Sequence, residues 1–196
     1  MSRDTTNQIA EIIETHKKMV AQLQASGLKT IVNMANTITR AIKKGATVYI
    51  CGNGGSAADA QHIASELVNR FECNRKAIAA VALTTDTSII TSIANDDSYE
   101  AVFARQAQAL VTKKDVFWAI STSGSSPNVL AAVKVAKQKG ALVIAFTGAK
   151  NSPLERLANL CLCADNKSTA RSQEIHQLAY HIICKLVESR LFGTDK

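Results

Sequence analysis

The stretch Thr47-Val-Tyr-Ile-Cys51-Gly-Asn-Gly-Gly-Ser56 is the part of the sequence that decides the fold class. It begins with a short run of apolar and β-branched residues, which is typical of a buried strand, and a glycine-rich turn follows at once. The residues after the turn, as far as about Arg70, have the spacing of a helix. A strand, a tight turn and a helix in this order are typical of α/β proteins.

The same alternation continues toward the C-terminus. Pro127 is expected to begin one of the later helices, because proline is favoured in a first turn. Strands separated by helical stretches need crossover connections, so the pattern predicts a parallel sheet of five strands. The further strand-like runs are 79–83, 115–120, 141–146 and 160–164. The further helical stretches follow Asp86, run from Pro127 to near Gly140, and cover 154–158 and about 169–191.

Residues 5–44 precede the first strand and have a helical pattern in two parts, which Gly27 is expected to separate. The sequence leaves open whether these helices pack on the sheet of their own chain or on a partner subunit. The whole chain, 1–196, is predicted to be one domain. It would consist of an N-terminal helical arm over 1–45, an α/β core over 46–166 and a long C-terminal helix over 167–196.

The composition indicates which classes of ligand or partner the protein is suited to bind. The chain of 196 residues has a net charge of +7, yet only 5% of its residues are aromatic and it has no run of five like charges. Nucleic-acid binding is therefore poorly supported, and a small anionic substrate fits the charge better. Five cysteines without metal-knuckle spacing predict reduced thiols, and the polar N-terminus predicts no signal segment. With no stretch of eighteen apolar residues we expect no membrane association and a cytoplasmic location.

Two loops are rich in glycine and hydroxyl residues. The first is 52–56 and the second is 121–126, and each comes between a predicted strand and a predicted helix. Glycine lets the backbone approach an anion closely, and a helix N-terminus offers free amide groups. The pattern favours phosphate binding over an ordinary loop, and neither loop has the dinucleotide fingerprint.

Two helices carry residues that could bind a metal or move protons. His62 and Glu66 are four residues apart on the first, and Gln173 and His181 share a broad face of the last. Such a set of nitrogen and oxygen ligands suits zinc or a similar divalent ion. A solvated, ion-paired face is the alternative, and spacing alone does not show that the two helices meet. His176 and Tyr180 on the last helix are expected to pack or bond structurally.

Four motifs occur in the order of a known family. They are Cys51-Gly-Asn-Gly-Gly-Ser56 with Ala60-Gln-His62-x3-Glu66, Ile93-Ala-Asn95-Asp96, Ala119-Ile-Ser-Thr-Ser-Gly124, and Arg171-Ser-Gln173-Glu-Ile-His176 with His181. Together they resemble the sugar-isomerase (SIS) fold and, within it, the bacterial phosphoheptose isomerases. The resemblance implies a five-stranded parallel sheet flanked by helices, assembled as a homotetramer with active sites between subunits.

The resemblance also implies roles for particular residues. One zinc per subunit would be bound by His62, Glu66, Gln173 and His181. The residues implied in substrate binding are Asn53, Gly54, Gly55, Ser56, Glu66, Asn95, Asp96, Ser121, Thr122, Ser123, Ser126 and Gln173. Some phosphoheptose isomerases have an aspartate where this chain has Ala170. If that group assists catalysis, another group such as Asp59 or Asp96 would replace it here.

The activity implied is the conversion of sedoheptulose 7-phosphate to D-glycero-D-manno-heptose 7-phosphate, which feeds the heptose of the lipopolysaccharide core. Proton transfer through an enediol needs a base and an acid, and we expect Glu66 to be the base and His181 the acid. Zinc on the same groups would weaken both roles, so either the metal shifts or it polarises the sugar oxygens itself.

Two relatives of the same fold provide alternatives. One is a tetrameric adaptor that associates with the replication initiator, and the other is a sugar-phosphate sensor in transcription regulators. The adaptors lack the equivalents of Glu66 and His181, and the sensors carry an attached helix-turn-helix segment. Because this chain has both residues and no such segment, catalysis is the favoured interpretation.

Overall fold

The computed structural model describes residues 3–193 and consists of eight α-helices around one parallel sheet. The helices are α1 (Arg3–Gln22), α2 (Leu28–Ile42), α3 (Gly55–Val68), α4 (Thr87–Asp96), α5 (Val102–Leu110), α6 (Pro127–Gln138), α7 (Pro153–Leu157) and α8 (Thr169–Phe192). The strands are β1 (Val48–Gly52), β2 (Ala80–Ala82), β3 (Val116–Ser121), β4 (Leu142–Thr147) and β5 (Leu160–Cys163). The ends of the predicted arm and C-terminal helix, 1–2 and 194–196, lie outside the described residues.

All five strands run parallel in the order β2-β1-β3-β4-β5. The chain therefore reverses its direction of growth across the sheet after β2, and the loops that follow β1 and β3 flank the point of reversal. The predicted α/β fold with a five-stranded parallel sheet is confirmed. In open sheets of this kind, the carboxyl edge at such a switch point is where ligands bind.

The central strand β3 separates two apolar layers. All six of its residues are buried, because helices cover both faces of the sheet. Val116, Trp118 and Ile120 join one cluster, which includes buried residues of α2, α3 and α8. Phe117 and Ala119 point the other way, into a cluster with α5, α6 and α7. Helices α3 and α8 thus pack on the same face of the sheet.

The predicted break at Gly27 is wrong, because helical hydrogen bonding continues between α1 and α2 as a π-helical segment, Leu23–Gly27. Gly27 is buried, and a Cβ atom there would lie 2.6 Å from Leu23 Cδ1 and 3.6 Å from Leu162 Cδ1. The glycine therefore leaves room for the Leu23 side chain of the preceding turn, and it does not end the helix.

The two N-terminal helices differ in how they are covered. Helix α2 buries its apolar face on the sheet, whereas Ile9, Ile12 and Ile13 of α1 remain 44%, 51% and 50% exposed. One ion pair, between His16 Nδ1 and Glu174 Oε2 at 2.7 Å, ties α1 to α8. Within residues 3–193, no helix combines the length and the apolar character that crossing a membrane requires.

Candidate active site

A pair of asparagine side chains joins the two loops at the switch point. Asn53 Nδ2 donates to Asn128 Oδ1 at 2.8 Å, and Asn128 Nδ2 donates back to Asn53 Oδ1 at 2.9 Å. The hydroxyl of Tyr99 also donates to Asn53 Oδ1, at 3.2 Å. The glycine-rich loop after β1 is therefore fixed to the start of α6 and to the turn after α4.

The hydroxyl loop after β3 is folded onto itself. Ser121 Oγ lies 2.9 Å from Ser126 Oγ and 3.3 Å from Ser123 Oγ. Gly124 has φ +64°, and a Cβ atom there would collide with Ser152, so only glycine fits this tight turn. The loop presents several hydroxyl groups ahead of the N-terminus of α6, which is the arrangement expected for an anion site.

A cleft of about 510 Å³ opens beside this loop, between the ends of β3, β4 and β5. Thr122 and Ser123 line it, together with the exposed residues Lys150 and Lys167. Lys150 is ion-paired with Asp165 at the same cleft. The lysines add positive charge next to the hydroxyl groups, which favours an anionic ligand.

Helices α3 and α8 bring three ionisable side chains together. The ligand atoms of His62, Glu66 and His181 all lie within 4.8 Å of one another. His62 Nε2 is 2.9 Å from Glu66 Oε1, and the rings of His62 and His181 are 5.0 Å apart. These three side chains could hold a metal ion, since the donors are the imidazole and carboxylate groups that zinc takes.

Tyr180 of α8 contacts the His62 ring of this cluster on the side that faces away from Glu66. Its hydroxyl is 2.9 Å from Nδ1 of His62, the ring nitrogen that does not face Glu66. Burial raises the pKa of Tyr180, and the nearby carboxylate of Asp59 adds to this effect. The phenol therefore stays protonated and can either donate to Nδ1 or accept from it.

Burial also changes the ionisation of the neighbouring groups. It lowers the pKa of His181, and the charge of His62 contributes in the same direction while Glu66 opposes it. It raises the pKa of Asp59 to about 6, with His62 opposing, and Asp59 Oδ2 has no hydrogen-bond partner among residues 3–193. Neighbouring groups with shifted pKa values are typical of active sites.

Three further predicted site residues lie on α8 and α4. Gln173 lies against the glycine-rich loop, where a Cβ atom on Gly55 would be 2.8 Å from its Cδ atom. Asn95 and Asp96 are exposed at the end of α4, and the Asn95 amide donates to the Asp96 carboxylate at 2.8 Å. The contact between this part of the chain and the glycine-rich loop is made by the hydroxyl of Tyr99, which donates to Asn53.

Sequence reasoning missed two residues of the site, Asn128 and Tyr99. Asn128 is buried among Val129, Ala132 and Val133 on the inner side of α6, and one polar residue in such an apolar stripe is a signal that could have been noticed. Tyr99 lies in a short turn and carries no comparable signal. His176 is fully buried and its Nε2 lies 3.2 Å from the carbonyl oxygen of Thr147, a structural contact of the kind expected.

Comparisons with known proteins agree with this geometry. A family model described as the SIS domain matches residues 11–148. The phosphoheptose isomerase of Burkholderia pseudomallei (strain 1710b) is 47% identical over 188 residues, which are 96% of this chain and 94% of the relative. That of Roseiflexus sp. (strain RS-1) is 48% identical over 162 residues, which are 83% of this chain and 82% of the relative.

Solved structures show the same relationship. The phosphoheptose isomerase GmhA of Neisseria gonorrhoeae has a TM-score of 0.89 at 35% identity, covering 94% of this chain and 99% of that one. A phosphoheptose isomerase of Francisella tularensis has a TM-score of 0.91 at 31% identity, covering 96% of this chain and 100% of that one. Fold, loops and cluster thus define an SIS-domain enzyme, a sugar-phosphate isomerase. Within this class, the chain belongs to the phosphoheptose isomerase family.

Proposed function

We propose that this isomerase interconverts sedoheptulose 7-phosphate and D-glycero-D-manno-heptose 7-phosphate. The observation that carries the proposal is the meeting of His62, Glu66 and His181 between two helices on the same face of the sheet, together with the two anion-type loops at the carboxyl edge of that sheet. The names of relatives with 47% and 48% identity support a phosphorylated heptose as substrate.

Glu66 and His181 would carry the proton transfers. A carboxylate is suited to remove the proton from the carbon next to the carbonyl, which gives an enediol, and to return it to the neighbouring carbon. His181, in the same cluster, would donate a proton to the carbonyl oxygen and then take one from the neighbouring hydroxyl oxygen, so that it ends the reaction protonated as it began. Its lowered pKa means that its protonated form gives up a proton more readily than a free imidazolium does.

The loops after β1 and β3 would bind and orient the substrate. The hydroxyl groups of Ser121, Thr122, Ser123 and Ser126, with Ser56 and the backbone of Gly54 and Gly55, would hold the phosphate. Asn53, Asn95, Asp96 and Gln173 would bind the polyol. Holding the phosphate away from the reacting carbons contributes positioning, because remote binding energy fixes the reacting atoms in place.

One zinc per subunit fits the residues present, because the two imidazoles and the carboxylate converge and Tyr180 can orient His62. His62, Glu66 and His181 would hold it in the absence of substrate, and we assign Gln173 as the fourth ligand. The proton transfers then require that Glu66 and His181 release the metal when substrate binds. When bound, zinc would supply Lewis-acid polarisation of the sugar oxygens.

The proposal also covers the oligomeric state and the cellular location of the enzyme. A homotetramer is supported by the exposed apolar residues Ile9, Ile12 and Ile13 of α1, since an apolar patch of this kind marks an association surface. We further propose that the enzyme works in the cytoplasm and that its product supplies the heptose of the lipopolysaccharide core.

The proposal is tested by incubating the purified protein with sedoheptulose 7-phosphate, with and without added Zn²⁺, and following the aldoheptose phosphate by proton NMR. We expect steady conversion by the wild type. The variant Glu66→Gln should lose at least about 100-fold in kcat, because the amide cannot accept the proton. Sedoheptulose without its phosphate should be a much poorer substrate, which tests the anion loops.

Two results would contradict the proposal. Full turnover by Glu66→Gln would remove the assigned base. No conversion by a folded wild-type assembly supplied with Zn²⁺ would exclude this substrate and favour the initiator-binding adaptor. The meeting of Glu66 with His181 supports catalysis over that adaptor, because both residues would be dispensable in a protein that only binds a partner.

A further inference from the structure

The segment between α3 and β2 is held by one buried carboxylate. Glu188 of α8 accepts hydrogen bonds from the backbone N–H groups of Phe71 at 3.0 Å, Glu72 at 2.9 Å and Cys73 at 3.0 Å. Its side chain is 3% exposed and it also pairs with Arg75 Nε at 2.9 Å. Four donors therefore converge on a carboxylate that water hardly reaches, which is a strongly bound state for this group.

Arg75 continues this connection into α3. Its side chain is 2% exposed. It donates to the carbonyl oxygens of Glu66 and Leu67, each at 2.7 Å. These are carbonyls of the last turn of the helix, which have no partner within the helix itself. Glu188 and Arg75 thus form a clamp that joins the end of α3 to α8.

The clamp lies beside the histidine cluster. Arg75 binds the main chain of Glu66 itself, and Glu188 follows His181 by seven residues, which is two helical turns on the same side of α8. Phe71, whose N–H is held by Glu188, places its ring 5.8 Å from the ring of His181. The clamp therefore contacts α3 and α8, the two helices that supply the cluster. It also holds Phe71, whose ring lies beside that of His181.

We propose that Glu188 and Arg75 are positioning residues for the isomerase, which set the separation between Glu66 on α3 and His181 on α8. Neither residue is among those that touch the substrate in the proposed function, and the inference rests on the roles proposed for Glu66 and His181. A carboxylate and an imidazole on two different helices can act on one substrate only if their separation is fixed within a fraction of an ångström.

The test compares Glu188→Gln with a matched control, Asp115→Asn. Asp115 is also a buried carboxylate that accepts loop N–H groups, from Thr47 at 2.8 Å and Thr112 at 2.8 Å. It precedes β3 and so lies at the amino edge of the sheet, opposite the active site. Both substitutions replace one carboxylate oxygen by an NH₂ group that faces donors, so both should destabilise the fold.

Two properties are measured at a temperature where each variant is folded. They are kcat and KM with sedoheptulose 7-phosphate, and the affinity for Zn²⁺ alone by calorimetric titration. For Glu188→Gln we expect kcat to fall at least about tenfold and Zn²⁺ affinity to fall about tenfold, with KM changed less than about twofold because the anion loops are untouched. Asp115→Asn should keep kcat, KM and Zn²⁺ affinity.

A purely structural clamp gives a different result. In that case both variants would lose stability and Glu188→Gln would keep kcat and Zn²⁺ affinity per folded molecule, which overturns the proposal. If Glu188→Gln does not fold, Arg75→Lys takes its place, because lysine keeps the charge and cannot reach Glu188 and both carbonyls together. A wild type without turnover would refute the substrate proposal, and the Zn²⁺ titration would still decide the clamp.

Discussion

At the scale of single residues, the hydroxyl of Tyr180 decides how His62 can be used. Its position 2.9 Å from Nδ1 leaves Nε2 of the same ring free to face Glu66 or a metal. A phenol can accept from Nδ1–H when Nε2 binds a metal, and it can donate to Nδ1 when Nε2 carries the proton. Phenylalanine can do neither, although it fills the same space.

We therefore predict that Tyr180→Phe weakens Zn²⁺ binding about tenfold, because groups that orient a metal-binding histidine contribute about this much. The cost in the free energy of unfolding should be about 1 kcal/mol, the value of one hydrogen bond. Calorimetric titration with Zn²⁺ and urea unfolding measure the two effects. The control is Tyr49→Phe, whose hydroxyl donates to Leu110 O at 3.3 Å; equal Zn²⁺ affinities in both variants would contradict the prediction.

At the scale of secondary-structure elements, local patterns predicted the order of strands and helices and the two loops at the carboxyl edge. These predictions succeeded because strands, helices and glycine-rich turns are each indicated by residues close in sequence. The pairing of α3 with α8 brings His62 and His181 together across 119 positions, and residue spacing on each helix carries no signal for it. The likeness to a family supplied that information.

The wrong prediction at Gly27 and the unpredicted contact between Arg75 and Glu188 both concern what surrounds a residue in the folded chain. The poor helix propensity of glycine predicts a break at Gly27, whereas in the structure the helix continues through it and the Leu23 side chain lies where a Cβ atom would be. Arg75 and Glu188 look like ordinary surface charges in the sequence. Their burial depends on a contact between residues 113 positions apart, which no local pattern contains.

The contact between the α3–β2 segment and α8 should also depend on pH. Burial alone would raise the pKa of Glu188, but the amides of Phe71, Glu72 and Cys73, together with Arg75, outweigh it and lower this pKa to about 2. A carboxyl group with a lowered pKa in the folded state stabilises the fold above its ordinary pKa of about 4.5, and this contribution is lost as the pH falls from there toward 2.

We predict that the difference in unfolding free energy between the wild type and Glu188→Gln is about 3 kcal/mol at pH 7, from a shift of this size. It should shrink progressively below about pH 4.5, because the wild-type carboxylate is then protonated in the unfolded chain. Urea unfolding at pH 7 and at pH 3 measures it. A difference that stays the same at both values would show that the charge of Glu188 does not stabilise the fold.

At the scale of the whole molecule, the single chain leaves the apolar side of α1 uncovered. Ile9, Ile12 and Ile13 recur at spacings of three and four and are about half exposed, so they form one stripe along the helix. Helix α1 contributes little to the core of its own chain, since Met19 is the only buried residue among those of α1 whose side chains the structure describes. A substitution in the stripe should therefore change assembly more than it changes the fold.

We predict that Ile13→Glu reduces the mass measured by light scattering from that of the proposed tetramer toward that of the 21.0 kDa chain. A carboxylate placed in an apolar interface loses its water without gaining a partner, which opposes association. The fold itself should remain, so the circular dichroism spectrum is expected to be unchanged. Asn7→Glu places the same charge on the opposite side of α1 and should leave the mass unaltered. If Ile13→Glu keeps the mass of the wild type, the isoleucine stripe is not the surface through which the subunits associate.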